Sequence, residues 1–252
     1  MKKKILSAII LLAALSQVQA QDGSHSKKSA TNIDGKNMVE LNVLALPLKN
    51  FSVNYHRQIA RKITVGITLR AMPNGALPFE KSFRKAIKDS TAKRQLDNFK
   101  VSSYAFIPEI RFYLGKKGAF HGFYIALFGN IGHYSVSLPY SYSDNGADET
   151  LQMTGNINTI TGGFMLGTQW NLSKSFYIDL HFIGPNVGSA SGSISGNGSL
   201  SSSEQTSLKK SLDDINIPFV KTSNTVTPNG ATLKLSGPWV GIRSGVCIGF
   251  RF

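Results

Sequence analysis

From Met38 to the last residue, apolar side chains recur at every second position. A period of two is the strand period, since successive side chains point to opposite faces. Eight segments carry it. In Val39–Leu46, Val39, Leu41, Val43 and Ala45 oppose Glu40 and Asn42, with Leu44 and Leu46 closing the segment. In Phe51–Ile59, Phe51, Val53 and Tyr55 oppose Ser52, Asn54 and His56. In Ile63–Ala71, Ile63, Val65, Ile67 and Leu69 oppose Thr64, Gly66, Thr68 and Arg70. In Ser103–Leu114, Tyr104, Phe106, Ile110 and Phe112 oppose Ala105, Glu109, Arg111 and Tyr113. Phe123–Val136 alternates less cleanly, with Phe123, Ile125, Leu127 and Ile131 on one side. Ile160–Leu172 and Phe176–Ile183 resume the pattern, and the terminal stretch GPWVGIRSGVCIGFRF ends it on Phe252.

The connections between segments are sorted by length. Ala60–Lys62, Gly115–His121 and Ser173–Lys174 are short, whereas 73–100, 139–156 and 189–231 are long; Pro47–Asn50 is short where a long one is due. An even number of alternating segments, tight turns at one end and long loops at the other, predicts an all-β fold: an eight-stranded antiparallel up-and-down transmembrane β-barrel. Segments of about 9–11 residues suit a tilted strand crossing the hydrocarbon layer. A soluble sandwich would not sort its connections by end, and its water-facing strands would carry more Lys and Glu.

In such a barrel the apolar face is outside. The charges Glu40, Arg70, Glu109, Arg111, Asp179, Arg243 and Arg251 then all point inward. An arginine on the lipid side near mid-depth would cost about 2–4 kcal/mol. An eight-stranded barrel has an interior that side chains just fill, so Glu40, Glu109 and Asp179 are expected to neutralise Arg70, Arg111 and Arg243 in a closed lumen. The inward glycines Gly163, Gly167, Gly241, Gly245 and Gly249 leave space for long side chains. Leu233 and Leu235 have the opposite parity to Val240 and Ile242, which predicts a bulge or a strand start at Gly237–Pro238.

The front of the chain follows different rules. Lys2–Lys4, an apolar run from Ile5 to Leu15 and the small-residue site Val18-Gln19-Ala20 read as a signal peptide cut near Ala20. The apolar run is too short for a spanning helix, which needs about 20 residues. The predicted division is a signal peptide at 1–20, a polar disordered tail at 21–37 and a barrel at 38–252. Losing Lys2, Lys3 and Lys4 with no acid lowers the formal charge of the 252-residue chain from +14 to +11. In an exported protein that excess points to phosphorylated lipid headgroups rather than nucleic acid. The single cysteine, Cys247, excludes an internal disulfide.

The loops supply the remaining chemistry. Residues 73–100 hold seven cations against Glu80, Asp89 and Asp97. Lys81, Arg84, Lys85 and Lys88 are candidates for contact with lipopolysaccharide phosphates. Residues 139–156 carry Asp144, Asp148 and Glu149, and read as a solvated loop without calcium-loop spacing. Residues 189–231 open as a flexible Gly/Ser run and continue as LKKSLDDINIPF, a short amphipathic piece. His56 and His181 face inward, with Asp179 near His181; they read as hydrogen-bonded interior groups, and no metal or other cofactor is expected.

Several motifs resemble known proteins. Ile248, Phe250 and a terminal Phe252 resemble the signal recognised by the outer-membrane barrel assembly machinery. The stretch 38–252 resembles small OmpA/OmpX-type barrels. It looks still more like outer-membrane barrel domains of unknown function, which share the aromatic-Gly-Pro segment Phe182–Gly188. The resemblance implies a fold and a location, the outer membrane of a Gram-negative cell, but no activity; the expected protein is a monomer with a structural, envelope-integrity or surface-interaction role rather than an enzymatic one. A narrow passive pore is the alternative. His133-Tyr134-Ser135 is similar to the motif of lipid A deacylases, in which a histidine activates a serine and a carboxylate orients the histidine. Glu149 or Asp148 would be that carboxylate here. That family has Asn after the serine, and this chain has Val136.

Overall fold

The computed structural model describes residues 35–80, 84, 85, 87, 93, 96, 98–215 and 218–252. The signal peptide and most of the tail expected before residue 38 lie outside the described residues. Nine antiparallel strands form one sheet: β1 Asn37–Asn42, β2 Phe51–Ala60, β3 Ile63–Gly75, β4 Lys100–Tyr113, β5 Gly122–Asp144, β6 Ala147–Asn171, β7 Phe176–Asn197, β8 Lys221–Thr227 and β9 Gly230–Arg251. Neighbours in sequence pair in space from β1 to β7, β7 pairs β9, and β9 returns to β1. Met38 lies opposite Arg251 and Leu41 opposite Ile248, which closes a ring of eight strands. Closure pairs β1 with β9 at the seam, so the ring itself has no open edge at that level.

β8 lies outside the ring, as a hairpin partner of β9 beyond the barrel proper. Four ring strands are also far longer than their sequence segments: β5, β6, β7 and β9 have 23, 25, 22 and 22 residues. The expected loop 139–156 is therefore strand, turning only at Asn145-Gly146. Both residues have positive φ, 46° and 85°, as a two-residue hairpin turn requires. Likewise, 189–197 is the end of β7 rather than a flexible run, because Ser191 and Ser193 are paired on both sides. β1 is shorter than expected and stops at Asn42. Pro47 starts a 3-10 turn at Leu46–Leu48, which Lys49 ends in a left-handed conformation (φ 54°).

The unbroken length of β5, β6, β7 and β9 hides a reversal. Near the tight turns their outward residues are apolar: Ile125, Phe164, Ile178 and Ile248. Beyond Ile131 and Ile160 the outward positions become Ser135, Asn156, Ser193 and Ser236, and the apolar residues move inside. Leu233 and Leu235 belong to this second half. β7 and β9 keep register through Gly237-Pro238, so the bulge expected there does not form. The change in parity reflects a change in what each face touches. The actual bulge is at Phe182-Ile183 on β7, where two consecutive residues point outward, and Pro185 follows it.

The inward apolar residues of the upper half cover one helix, α1, Ser202–Asp213. It begins with a capping box. Ser201 Oγ accepts the Glu204 amide (3.3 Å), and the Glu204 carboxylate accepts the Ser201 amide (2.8 Å). Leu208 and Leu212, one turn apart, are fully buried against Tyr142, Leu151, Met153, Ala231 and Leu233. α1 touches β5 through the Tyr140 hydroxyl, which donates to Ser211 O (3.0 Å), and β8 through Asn224, which donates to Asp213 (2.7 Å). The helix thus bridges the two borders of the extended sheet and gives it a small core of its own.

Candidate functional site

The lumen of the ring is filled in layers. At the tight-turn end, the β4–β5 connection folds back and buries Ala119 and Phe120 beneath Tyr113 and Tyr124. Phe120 adopts φ 65° to do so, and the Arg251 guanidinium covers its ring at 4.9 Å. Arg251 also donates to Gly35 O (2.7 Å) and to the Tyr177 hydroxyl (3.2 Å).

The middle layer is ionic. Arg111 on β4 is completely buried. Its Nε donates to Glu109 Oε1 (2.5 Å) and its Nη1 to Asp179 Oδ2 (2.6 Å), while Nη2 stands 3.6 Å from Glu40 Oε2. Arg243 reaches Glu109 from the opposite wall and donates to Thr68 Oγ1 (2.8 Å). Neutral groups complete the carboxylates. Tyr124 donates to Asp179 (2.8 Å) and Asn54 to Glu40 (3.2 Å); Tyr113 donates to Gln169 (2.7 Å), which in turn donates to Glu40. Buried charges persist only when paired and hydrogen-bonded in this way. All eight ring strands, β1 to β7 and β9, contribute to one network.

Of the expected interior charges, Glu40, Glu109, Arg111, Asp179 and Arg243 meet here. Arg70 does not. It lies higher, where its guanidinium approaches the Tyr134 hydroxyl at 3.5 Å, and Tyr134 packs on Trp239 with ring centres 5.4 Å apart. Those three side chains form the upper layer. The reason is height: Arg70 is in register with Ala105, four residues along β4 from Glu109.

Histidines line the same layer. His181 Nε2 is 3.1 Å from Asp179, and His56 Nε2 is 3.6 Å from both Glu40 and Glu109. Among the described residues, Glu40, His181 and Cys247 place ligand-type atoms within 4.8 Å of one another. The cation that this trio faces is Arg111, whose Nη2 is 3.4 Å from His181 Nε2.

Of the five expected inward glycines, Gly167 and Gly245 make the closest approaches to side chains of the lumen. A Cβ on Gly167 would lie 2.3 Å from the Tyr124 ring and 2.8 Å from Leu180 O. Gly167→Leu is expected to destabilise the folded barrel by about 1–3 kcal/mol through overpacking. Gly162→Ala on the same strand, whose Cβ would meet only Phe128 O at 3.9 Å, serves as the control. Urea unfolding in lipid reads both, and equal midpoints would contradict the packing.

His133 and Ser135 face outward on β5. Ser135 Oγ donates to Asn156 Oδ1 (2.7 Å) and is 3.5 Å from His133 Nε2; His133 Nδ1 contacts Asn158 Oδ1 (2.7 Å). Glu149 is opposite Tyr142 and Asp148 opposite Ser143. Nine residues separate Glu149 from Asn158, about 30 Å of strand at 3.3 Å per residue. Neither acid can orient His133, so that expected arrangement is corrected: an amide stands where a carboxylate was sought.

At the far tip, Asp144 accepts from Ser203 and Ser207 of α1, both at 2.8 Å. The Ser201 amide holds the Glu204 carboxyl below its usual range, and burial raises the Tyr140 phenol. Of the lipopolysaccharide candidates, Arg84 and Lys85 are exposed, and Lys81 and Lys88 lie outside the described residues. Ile248, Phe250 and Phe252 are exposed on the outer wall, with Phe250 packed on Phe252 and Phe176.

Ring closure, the outward apolar belt and the packed interior define a small up-and-down β-barrel with a closed lumen and a helix-capped extension. The chain belongs to the family described as protein of unknown function (DUF3575), which matches residues 7–184. Among solved structures, it is similar to the N-terminal β-barrel domain of OprF from Pseudomonas aeruginosa. That alignment covers 86% of this chain and 96% of that one, at 7% identity and a TM-score of 0.28. No curated protein matches.

Proposed function

We propose that this chain is an outer-membrane protein whose barrel is a non-conducting anchor and whose α1-capped extension is a surface-interaction platform. The observation that carries the reading is the filled lumen: an aromatic floor at Phe120, an ionic layer at Arg111 and a lid at Arg70, Tyr134 and Trp239. The belt of Ile125, Phe164, Ile248 and Phe250 supports a membrane setting, since contiguous apolar surface of this extent seeks lipid. Tight turns then face the periplasm and the long strands project outside. In this reading the basic loop bearing Arg84 and Lys85 meets lipopolysaccharide phosphates, and Ile248, Phe250 and Phe252 are read by the assembly machinery.

Planar-bilayer recording of the refolded mature protein tests this reading, with heat-shifted gel mobility as the folding control. The expected record is silent; discrete, reproducible conductance steps would replace the anchor with the narrow pore. The reading is non-enzymatic as well. In its favour, the Ser135 hydroxyl is committed to Asn156 at 2.7 Å, and among the described residues no carboxylate backs His133. Lipid A mass spectra are expected to be identical with the native protein and with Ser135→Ala. A loss of deacylated species in the variant would restore the hydrolase.

A further inference from the structure

The three tight turns of the barrel carry cations and no acidic side chains. The stretches 57–62, 114–121 and 172–175 contain Arg57, Arg61, Lys62, Lys116, Lys117 and Lys174, and no Asp or Glu. All six are exposed. Four of them form one rigid patch, because the β2–β3 and β4–β5 turns are bonded together. The Ala119 amide donates to Arg61 O (2.7 Å), the Tyr113 amide donates to Lys62 O (2.8 Å), and Arg61 Nη2 donates to Lys116 O (3.4 Å). Backbone bonds therefore hold Arg61, Lys62, Lys116 and Lys117 together against their mutual repulsion. Among the described residues no acidic side chain pairs with these four, and a fixed cluster of like charges draws anions to itself.

The height of the patch identifies the anion. Ile59 and Leu114, both more than half exposed, lie two residues from Arg61 and Lys116. The turns do not reach beyond this level: the β2–β3 turn is two residues long, and the longer β4–β5 turn folds inward at Ala119 and Phe120. The ammonium groups thus stand where the apolar belt ends, at the depth of lipid phosphates, rather than in the space below. We infer that Arg61, Lys62, Lys116 and Lys117 form a binding site for the headgroup of an acidic phospholipid in the leaflet at the turn end. This inference rests on the membrane-spanning reading.

The test uses the full mature protein, folded in detergent micelles and mixed with equal amounts of phosphatidylglycerol and phosphatidylcholine. Native mass spectrometry reads the bound lipid. The expected excess of phosphatidylglycerol is at least about tenfold, since each cation near an anionic surface contributes about fivefold. It should fall towards parity in the triple variant K62Q/K116Q/K117Q and persist in K174Q, whose lysine sits on the β6–β7 turn away from the patch. It should also decline in the native protein as salt rises to about 1 M, where screening extends only about 3 Å. Parity in the native protein, an excess kept by a folded triple variant, or an excess indifferent to salt would each overturn the inference. Patch-dependent pelleting with purified peptidoglycan, without lipid preference, would overturn it in favour of the cell wall. A chain that never gives a heat-shifted band in lipid fails the membrane reading itself; a folded barrel without lipid preference fails only this inference.

Discussion

Replacing Arg111 with Met is expected to cost about 3–5 kcal/mol, because removing one partner of a buried ion network strands the others. Glu109, Asp179 and Glu40 would be left buried, with Arg243 alone reaching Glu109. Urea unfolding of the barrel in lipid vesicles measures the loss. The explanation makes a second demand. Removing charge from both sides, as in Arg111→Met with Asp179→Asn, should recover part of the stability, since a neutral pair needs no counter-charge. If the double variant were as unstable as the sum of its single changes, the loss would come from packing rather than from uncompensated charge.

The second large effect is local. Leu208→Ala and Leu212→Ala each remove a fully buried side chain from the cap core, at about 2–5 kcal/mol apiece. That core is separate from the barrel network, with Tyr142, Leu151, Met153 and Leu233 around it. The double variant should therefore detach α1 while the ring stays closed. Limited proteolysis should cleave within 198–229, and heat-shifted gel mobility should remain native. Loss of the heat shift together with the cleavage would mean that barrel and cap are one cooperative unit.

These two regions differ in how much the sequence disclosed. Around Glu109 and Arg111 a single apolar stripe marks the outer wall, so strand parity alone puts the charges inside. Parity does not give height along the barrel, which is why Arg70 was grouped with carboxylates that it does not reach. In the extension the pattern was present but inverted. Tyr140 and Tyr142 alternate with Ser141 and Ser143 as regularly as Ile125 and Leu127 alternate with Ala126 and Phe128. A reading that takes apolar as outward sees only the break near Ile131, and turns strand into loop. α1 had a legible start in Ser201-x-x-Glu204, the capping-box spacing, but the surrounding serines matched a linker. The His133 partner was out of reach by sequence, since Asn158 becomes a neighbour only through the β5–β6 register.

The inversion also governs how the molecule can enter and leave a membrane. The polar wall of the extension, α1 and β8 lie between the outward apolar stretches of β7 and β9. If the ring spans a membrane as proposed, they must cross the hydrocarbon layer before the cap core can form. Once Leu208 and Leu212 are covered, the assembled cap is too wide and too polar on its outside to return. It acts as a ratchet. On that reading, extraction of the barrel would wait on unfolding of the cap, and the 12 residues of α1 would set how long the protein stays in place.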